Sequence, residues 1–243
     1  MEILVISLVC LLATCVQGVS GMGFGLVTVP FFVALVGAHY GIVWSNFSGG
    51  LVALVLLVAM WKDVNWRRFV WLFAASLPAL VGFVLILRFV PERVFAGVIG
   101  VFMLLSVAFS FISVKFKPVP LRPASLVAGF LAGMMSALVA QSGPVMAAYA
   151  QATRCGQREF AATNQPLFLS FNIFVVGGKL LYGGQPEAFT AFPPFAFLTI
   201  VLAVIVGALL SKWLARIVKP KWARNLALLI ATVGAIRVLV GLF

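Results

Sequence analysis

Gln17-Gly18-Val19-Ser20-Gly21-Met22-Gly23-Phe24-Gly25 interrupts an apolar run over 3–36, and Ala140-Gln141-Ser142-Gly143-Pro144 interrupts another over 124–153. Each interruption leaves pieces of roughly 10–17 residues, too short to cross a bilayer comfortably, because a spanning helix needs about 20 apolar residues. Backbone that leaves the helix exposes N–H and C=O groups that lipid does not solvate. Such breaks are tolerated only where they are buried in protein or line a water-filled cavity. Two broken regions in one chain therefore predict a membrane protein with irregular backbone at its centre.

Outward from the breaks, six uninterrupted segments meet the spanning length: roughly 41–60, 67–90, 94–114, 160–181, 191–211 and 225–243. The chain of 243 residues is 64% hydrophobic and 9% charged, whereas soluble chains carry about a quarter charged residues. Its 17 Lys+Arg against 5 Asp+Glu give a net charge of +12. Those cations lie in short clusters between apolar runs, as in the cytoplasmic loops of membrane proteins. They form no basic, aromatic-interleaved surface, so nucleic acid is not an expected partner. Cys10, Cys15 and Cys155 are too scattered for a disulfide framework or a metal site. The start, Met1-Glu2-Ile3-Leu4, lacks the basic region of a cleaved signal and reads as the first membrane segment. Leu12-Ala13-Thr14-Cys15 faintly resembles a lipoprotein box but lacks the same basic residues.

The two broken regions belong to an internal repeat. The shift that lays Gly21-Met22-Gly23-Phe24-Gly25 on Ala140-Gln141-Ser142-Gly143-Pro144 also lays Ser45-Asn46 on Asn164-Gln165. After a slip of about ten residues, Pro91-Glu92-Arg93 falls on Pro220-Lys221-Trp222. Basic clusters mark inside loops at Lys62, Arg67 and Arg68; at Lys115, Lys117 and Arg122; at Arg154 and Arg158; and at Lys212, Arg216, Lys219, Lys221 and Arg224. Gly37–Gly41 and Gly183–Thr190 carry neither Lys nor Arg and fit the outside. Equivalent loops thus have opposite polarity. The expected fold class is an all-α polytopic membrane protein of two inverted repeats, 1–118 and 119–243, within one transporter domain. Each repeat is a broken-helix hairpin followed by three transmembrane helices, giving eight spans, or ten segments if half-helices are counted. The expected location is the inner membrane of a bacterial cell, multi-pass, with both termini outside. Inverted repeats joined by broken helices are a recurring architecture of secondary transporters, with the site at the midplane.

The residues resemble the sulfite exporter TauE/SafE family. The resemblance rests on Gly18–Gly25 followed by Pro30, and on Gly133–Pro144 followed by Thr163-Asn164-Gln165 and Asn172. Asp63-Val64-Asn65-Trp66 and Pro91-Glu92-Arg93 are also similar. The match covers nearly the whole chain, and the order and duplication of its motifs make it specific. It implies a permease for small anions such as sulfite, organosulfonates or other sulfur-containing or carboxylate anions. One departure is visible: the family's second break is richer in glycine, whereas Gln141 and Ser142 bring side-chain donors here.

A helix N-terminus presents free N–H groups and a partial positive charge, and so attracts anions. In each copy the break precedes a new half-helix. Gly21, Gly23 and Gly25 in the first break, and Gly143 in the second, let backbone approach a ligand closely, and Pro144 suits a first helical turn. Ser20, Ser45, Asn46, Gln141, Ser142, Asn164 and Gln165 are the candidate neutral donors, with Asn46 and Gln165 favoured by their paired positions and Asn172 ranked lower for want of a polar counterpart. Each also has a bland reading, a hydrogen bond to a neighbouring helix. Lys179, Arg88 and Arg237 read as interfacial cations that snorkel to the surface, or, for Lys179, as a charge at the pathway mouth. His39 lies in an outside turn, and Trp44, Trp61, Trp66 and Trp213 fit interfacial belts.

No carboxylate falls in mid-membrane: Glu2, Asp63, Glu92, Glu159 and Glu187 all lie near segment ends. Proton-coupled carriers generally need such a group, so anion export driven by the membrane potential is the favoured mechanism. The partners expected are a small anion and the bilayer, with no cofactor, metal or catalytic residue, and homo-oligomerisation is left open. Two other classes stand beside this reading. An intramembrane enzyme with Ser142 as nucleophile would need a base, and the one histidine lies in the other copy. A non-transporting membrane subunit would show no solute flux.

Overall fold

The computed structural model describes residues 2–111, 118–182 and 186–240. The inside loop expected at Lys115 and Lys117 lies outside the described residues, as do residues 183–185 of the expected outside loop. Among the described residues the regular structure is all helical, with no strand. Its helices are α1 (Glu2–Ser20), α2 (Phe24–Met60), α3 (Trp66–Leu87), α4 (Glu92–Phe111), α5 (Leu121–Val139), α6 (Gly143–Ala152), α7 (Gln157–Leu181), α8 (Phe195–Ile217) and α9 (Pro220–Val240). Six of the described helices are long and apolar enough to cross a membrane, and the chain is a multi-pass membrane protein.

The helix α2 is not one rod. A straight helix of its length would measure about 55 Å, nearly twice the hydrocarbon thickness. Gly37 breaks it with φ 83° and ψ 172°, a conformation open essentially to glycine alone. Beyond Gly37 the chain folds back. The Phe32 and Trp44 rings stack with centroids 6.2 Å apart, where a straight helix would separate the two residues by about 18 Å. A Cβ on Gly41 would lie only 2.6 Å from the Val33 nitrogen, so the absence of a side chain lets the limbs 24–36 and 38–60 touch. The Glu92 carboxylate accepts from the Ala38 N–H and from the His39 N–H at 3.4 Å. It thereby places a negative charge on the N-terminus of the second limb, where the helix dipole favours one.

The second half has the same order. A long helix (α5) breaks, a short one (α6) follows, the chain turns through Arg154 at φ 52°, and a long helix (α7) returns. The main helix pairings are α1 with α8, α3 with α5, α2 with α7, and α4 with α9. Exchanging the halves, so that α1 becomes α5, α2 becomes α7, α3 becomes α8 and α4 becomes α9, leaves this set unchanged. Small residues hold the first two pairs together. On α5, a Cβ at Gly129 or Gly133 would meet the carbonyls of Leu72 or Ser76 on α3 at 2.3 and 2.8 Å. On α8, Gly207 lies as close to Leu11 and Thr14 of α1, and Ser211 fills the space beside Gly18. Small residues spaced by four are what permit such close packing in lipid, where no hydrophobic force drives helices together.

Two polar and aromatic clusters fix the ends. Arg68, at the start of α3, donates to Glu159 at 2.7 Å, to Thr153 at 2.9 Å and to Tyr149 at 3.3 Å, tying α3 to α6 and α7. At the opposite end Trp44 is fully buried among Phe32, Phe47, Phe189, Phe192 and Phe197, and its indole N–H donates to the Ala188 carbonyl at 2.8 Å. This corrects the assignment of Trp44 to an interfacial belt, whereas Trp61, Trp66 and Trp213 are exposed. Trp44→Ala is expected to cost about 3–5 kcal/mol and to lower the thermal midpoint of the purified protein sharply, with Trp213→Ala leaving it unchanged.

Candidate functional site

Both breaks are made by residues in the left-handed region. The Gly21 N–H closes the last turn of α1 on Gln17 at 2.7 Å. Gly21 (φ 81°) and Gly23 (φ 111°) then turn the chain, and α2 starts at Phe24. In the second half Ala140 takes φ 50°, its N–H bonded to the Ser136 carbonyl at 3.0 Å, and α6 starts at Gly143 with Pro144 in its first turn. Neither start is capped by a side chain: Gly23 has none, and the Ser142 hydroxyl makes no capping bond. Both half-helices therefore keep first-turn N–H groups available, with the positive ends of their dipoles unneutralised.

The two breaks meet. A Cβ on Gly25 would lie 2.0 Å from the Ala140 carbonyl oxygen, and one on Gly143 would lie 3.1 Å from the Met22 sulfur. Each half-helix thus begins against the other's break. Between them is a small cavity of about 40 Å³. The first half contributes Gln17, Gly23, Gly25, Ser45 and Gly49; the second contributes Ser136, Gln141, Ser142, Gly143 and Asn172; Phe24 and Phe168 are its aromatic walls. No charged residue lines it. Its polarity comes from amides, hydroxyls and backbone.

Three polar atoms in this lining have no partner: the Ser45 hydroxyl and both the oxygen and the nitrogen of the Gln141 amide. Ser45 is 2% and Gln141 5% exposed. Buried polar groups are nearly always hydrogen-bonded, and each exception calls for an explanation such as a ligand or water.

Six residues expected from sequence line the cavity: Gly23, Gly25, Ser45, Gln141, Ser142 and Gly143. The other five lie outside it. The Ser20 hydroxyl donates to the Val16 carbonyl at 2.8 Å and faces a different, larger cavity. Gly21 is pressed against the Ala161 backbone. Asn46 returns its amide to the Ile42 carbonyl at 2.8 Å, and Gln165 returns its own to Ala161 at 2.7 Å. These two favoured residues therefore act on helix backbone. Gln165 also accepts from the Gln17 amide at 3.1 Å and so orients a residue that does line the cavity. Asn164 donates to the Gly21 carbonyl at 3.4 Å and braces the first break.

Sequence reasoning missed Gln17, Ser136 and Gly49 and ranked Asn172 too low. A signal for the first two was present: the shift that lays Gly21–Gly25 on Ala140–Pro144 also lays Gln17 on Ser136. Asn172 approaches Gly49 and Gly50, and its amide nitrogen would lie 3.2 Å from a Cβ on Gly49. Lys179 is only 2% exposed, with its ammonium 4.8 Å from the centre of the Phe95 ring; this overturns the snorkelling reading. Arg237 is exposed, and Arg88 lies over the Phe89 ring.

A family model described as sulfite exporter TauE/SafE matches residues 6–238. Neither the curated proteins nor the solved structures give a match.

Proposed function

Because the chain belongs to the sulfite exporter TauE/SafE family, we propose that it is a permease that exports a small sulfur-containing anion, sulfite or an organosulfonate, through the cavity between the two breaks. The family points to a membrane transporter of sulfur anions. The finer reading is carried by one observation: the unpartnered Gln141 amide and Ser45 hydroxyl face a cavity onto which two uncapped half-helices open. An oxyanion there receives N–H groups from α2 and α6 together with neutral side-chain donors. It meets no carboxylate to repel it and no fixed cation to hold it too tightly for release.

Halves 1–118 and 119–243 act as inverted copies within one domain, a reading supported by the reciprocal helix pairing. The distribution of Lys and Arg supports an orientation with Arg68, Arg154 and Arg158 inside and Gly37 and both termini outside. Export then runs down an inside-negative potential, which contributes about 2.3 kcal/mol per charge per 100 mV.

The test is anion flux in sealed proteoliposomes under an imposed potential, with sulfite, thiosulfate, small sulfonates and small carboxylates as solutes. Saturable flux that follows voltage is expected. Flux that ignores voltage and needs a pH or counter-ion gradient replaces the uniport with coupled transport, and no flux for any anion removes the proposal in favour of a non-transporting subunit. Ser142→Ala separates transport from catalysis. Loss of one hydrogen bond to a charged ligand should weaken apparent affinity about tenfold and leave flux measurable, whereas a nucleophilic serine would lose all turnover.

A further inference from the structure

A second cavity, of about 540 Å³, opens beside the first break. Arg154, Lys221 and Arg224 line it, together with Ser20, Met22 and Cys155, and no carboxylate does. Among the described residues the Arg/Lys–carboxylate ion pairs are Arg68–Glu159 and Arg158–Asp63, so the three lining cations have no carboxylate within ion-pair distance. The Arg224 Nε is buried without a hydrogen-bond partner. The three charges come from two separate parts of the chain, the 153–156 turn and the start of α9. The turn is held by N–H bonds from Arg154 to Gln151 at 3.3 Å and from Cys155 to Ala150 at 2.8 Å.

One side chain links the lining of this vestibule to that of the central cavity. Met22 lines the vestibule, is 4% exposed, and rests its sulfur on Gly143, the first residue of α6. Methionine has three rotatable bonds and fills a gap without fixing it. We propose that the vestibule is a second binding site for small oxyanions, with Arg154, Lys221 and Arg224 as its charged donors, and that Met22 is the movable barrier between it and the central cavity. The proposal rests on the transport reading for its direction of travel but not for its existence. A cluster of like charges in a recess with low-dielectric walls raises the local concentration of counter-ions. The vestibule therefore concentrates the anion through fixed charge, and the central cavity, which has none, passes it on.

Cys155 provides a test that needs no flux. It is partly exposed in the vestibule, whereas Cys10 and Cys15 are buried. Burial, and then the Glu159 carboxylate, push its thiol up to about 11, so thiolate is scarce at pH 7 and every labelling rate must be compared at one pH. The probes are two methanethiosulfonates of similar size, the anionic ethylsulfonate and the cationic ethyltrimethylammonium, with Cys155→Ser as the blank. The anionic reagent should label about tenfold faster relative to free thiol than the cationic one. Lys221→Gln with Arg224→Gln should bring the ratio near unity. Sodium methanesulfonate should slow labelling more than sodium chloride at equal ionic strength.

Equal rates for the two reagents in the unaltered protein would overturn the proposal, as would protection by methanesulfonate no greater than by chloride. A lipid headgroup carries the same oxyanion chemistry. The measurement is therefore repeated in vesicles of phosphatidylcholine alone and with phosphatidylglycerol added. Protection by methanesulfonate in phosphatidylcholine supports a site for a soluble anion; protection that appears only with phosphatidylglycerol and no added anion assigns the site to lipid and overturns it. Charge-selective labelling in a protein that moves no anion would end the transport reading and leave the vestibule site standing. Flux with charge-blind labelling would do the reverse.

Discussion

Gly25→Ala is expected to reduce anion flux about 100-fold and to lower the thermal midpoint of the purified protein. The new methyl carbon would lie 2.0 Å from the Ala140 carbonyl oxygen and 3.1 Å from the Ala140 carbonyl carbon. The obstacle is backbone, so no side-chain rotation relieves it, and the two breaks must move apart by roughly 1.5 Å to reach ordinary contact. Overpacking of this kind costs about 1–3 kcal/mol. The effect on flux is larger because the same contact sets the separation of the two half-helix starts, and displacements of about 1 Å at a converging site can cost on the order of 100-fold. Gly82→Ala is the control. Nothing lies within 4 Å of a Cβ there, and exchanging a mid-helix glycine for alanine stabilises by up to about 1 kcal/mol. Normal flux through Gly25→Ala would show that the meeting of the breaks is not where the anion passes.

The second large effect separates stability from function. Gln141→Leu removes two polar atoms that are buried without partners and keeps about the same volume. An unsatisfied buried group carries a desolvation penalty of about 1–3 kcal/mol, so the variant should melt at the same temperature as the parent or higher. If the amide serves the anion, flux should nonetheless fall tenfold or more. Gln141→Glu should go further, to near-complete loss, by placing a carboxylate beside the anion's path. A lower melting temperature with intact flux for Gln141→Leu would mean that the amide serves the fold and not the solute.

These expectations depend on features of unequal visibility in the sequence. The breaks were legible because Gly21, Gly23, Gly143 and Pro144 interrupt apolar runs, and the turn at Gly37 because one apolar segment ends at 36 and the next begins at 41. The left-handed Ala140 was not, since alanine carries no preference for that conformation; it is held there by its bond to Ser136. The repeat identified equivalent positions but not which way they face. Asn46 and Gln165 are matched by the shift and do the same thing in the structure, each bonding the carbonyl one turn earlier. The rotation of a helix about its axis is set by its neighbours, so matched positions do not by themselves mark a lining face. Asn172 reaches the cavity because Gly49 and Gly50 on another helix leave room for it. Trp44 and Lys179 were misplaced for a related reason. Belt and snorkelling readings assume a helix end that faces lipid, and here Phe189 and Phe192 cover Trp44 and Phe95 covers Lys179.

The reciprocal pairing of helices also constrains how the chain can be made. α1 leaves the ribosome before α2 to α7, and its main partner α8 follows only after them; α3 must likewise wait for α5. The N-terminal half therefore enters the bilayer with its small-residue faces uncovered, and the short limb 24–36 must be held beside its neighbours before half of them exist. Domains ordinarily fold as units in order of synthesis, but neither half of this chain is such a unit. Assembly has to be completed within the membrane after α8 and α9 arrive, and a chain cut between α4 and α5 should regain its fold only when both fragments share one membrane.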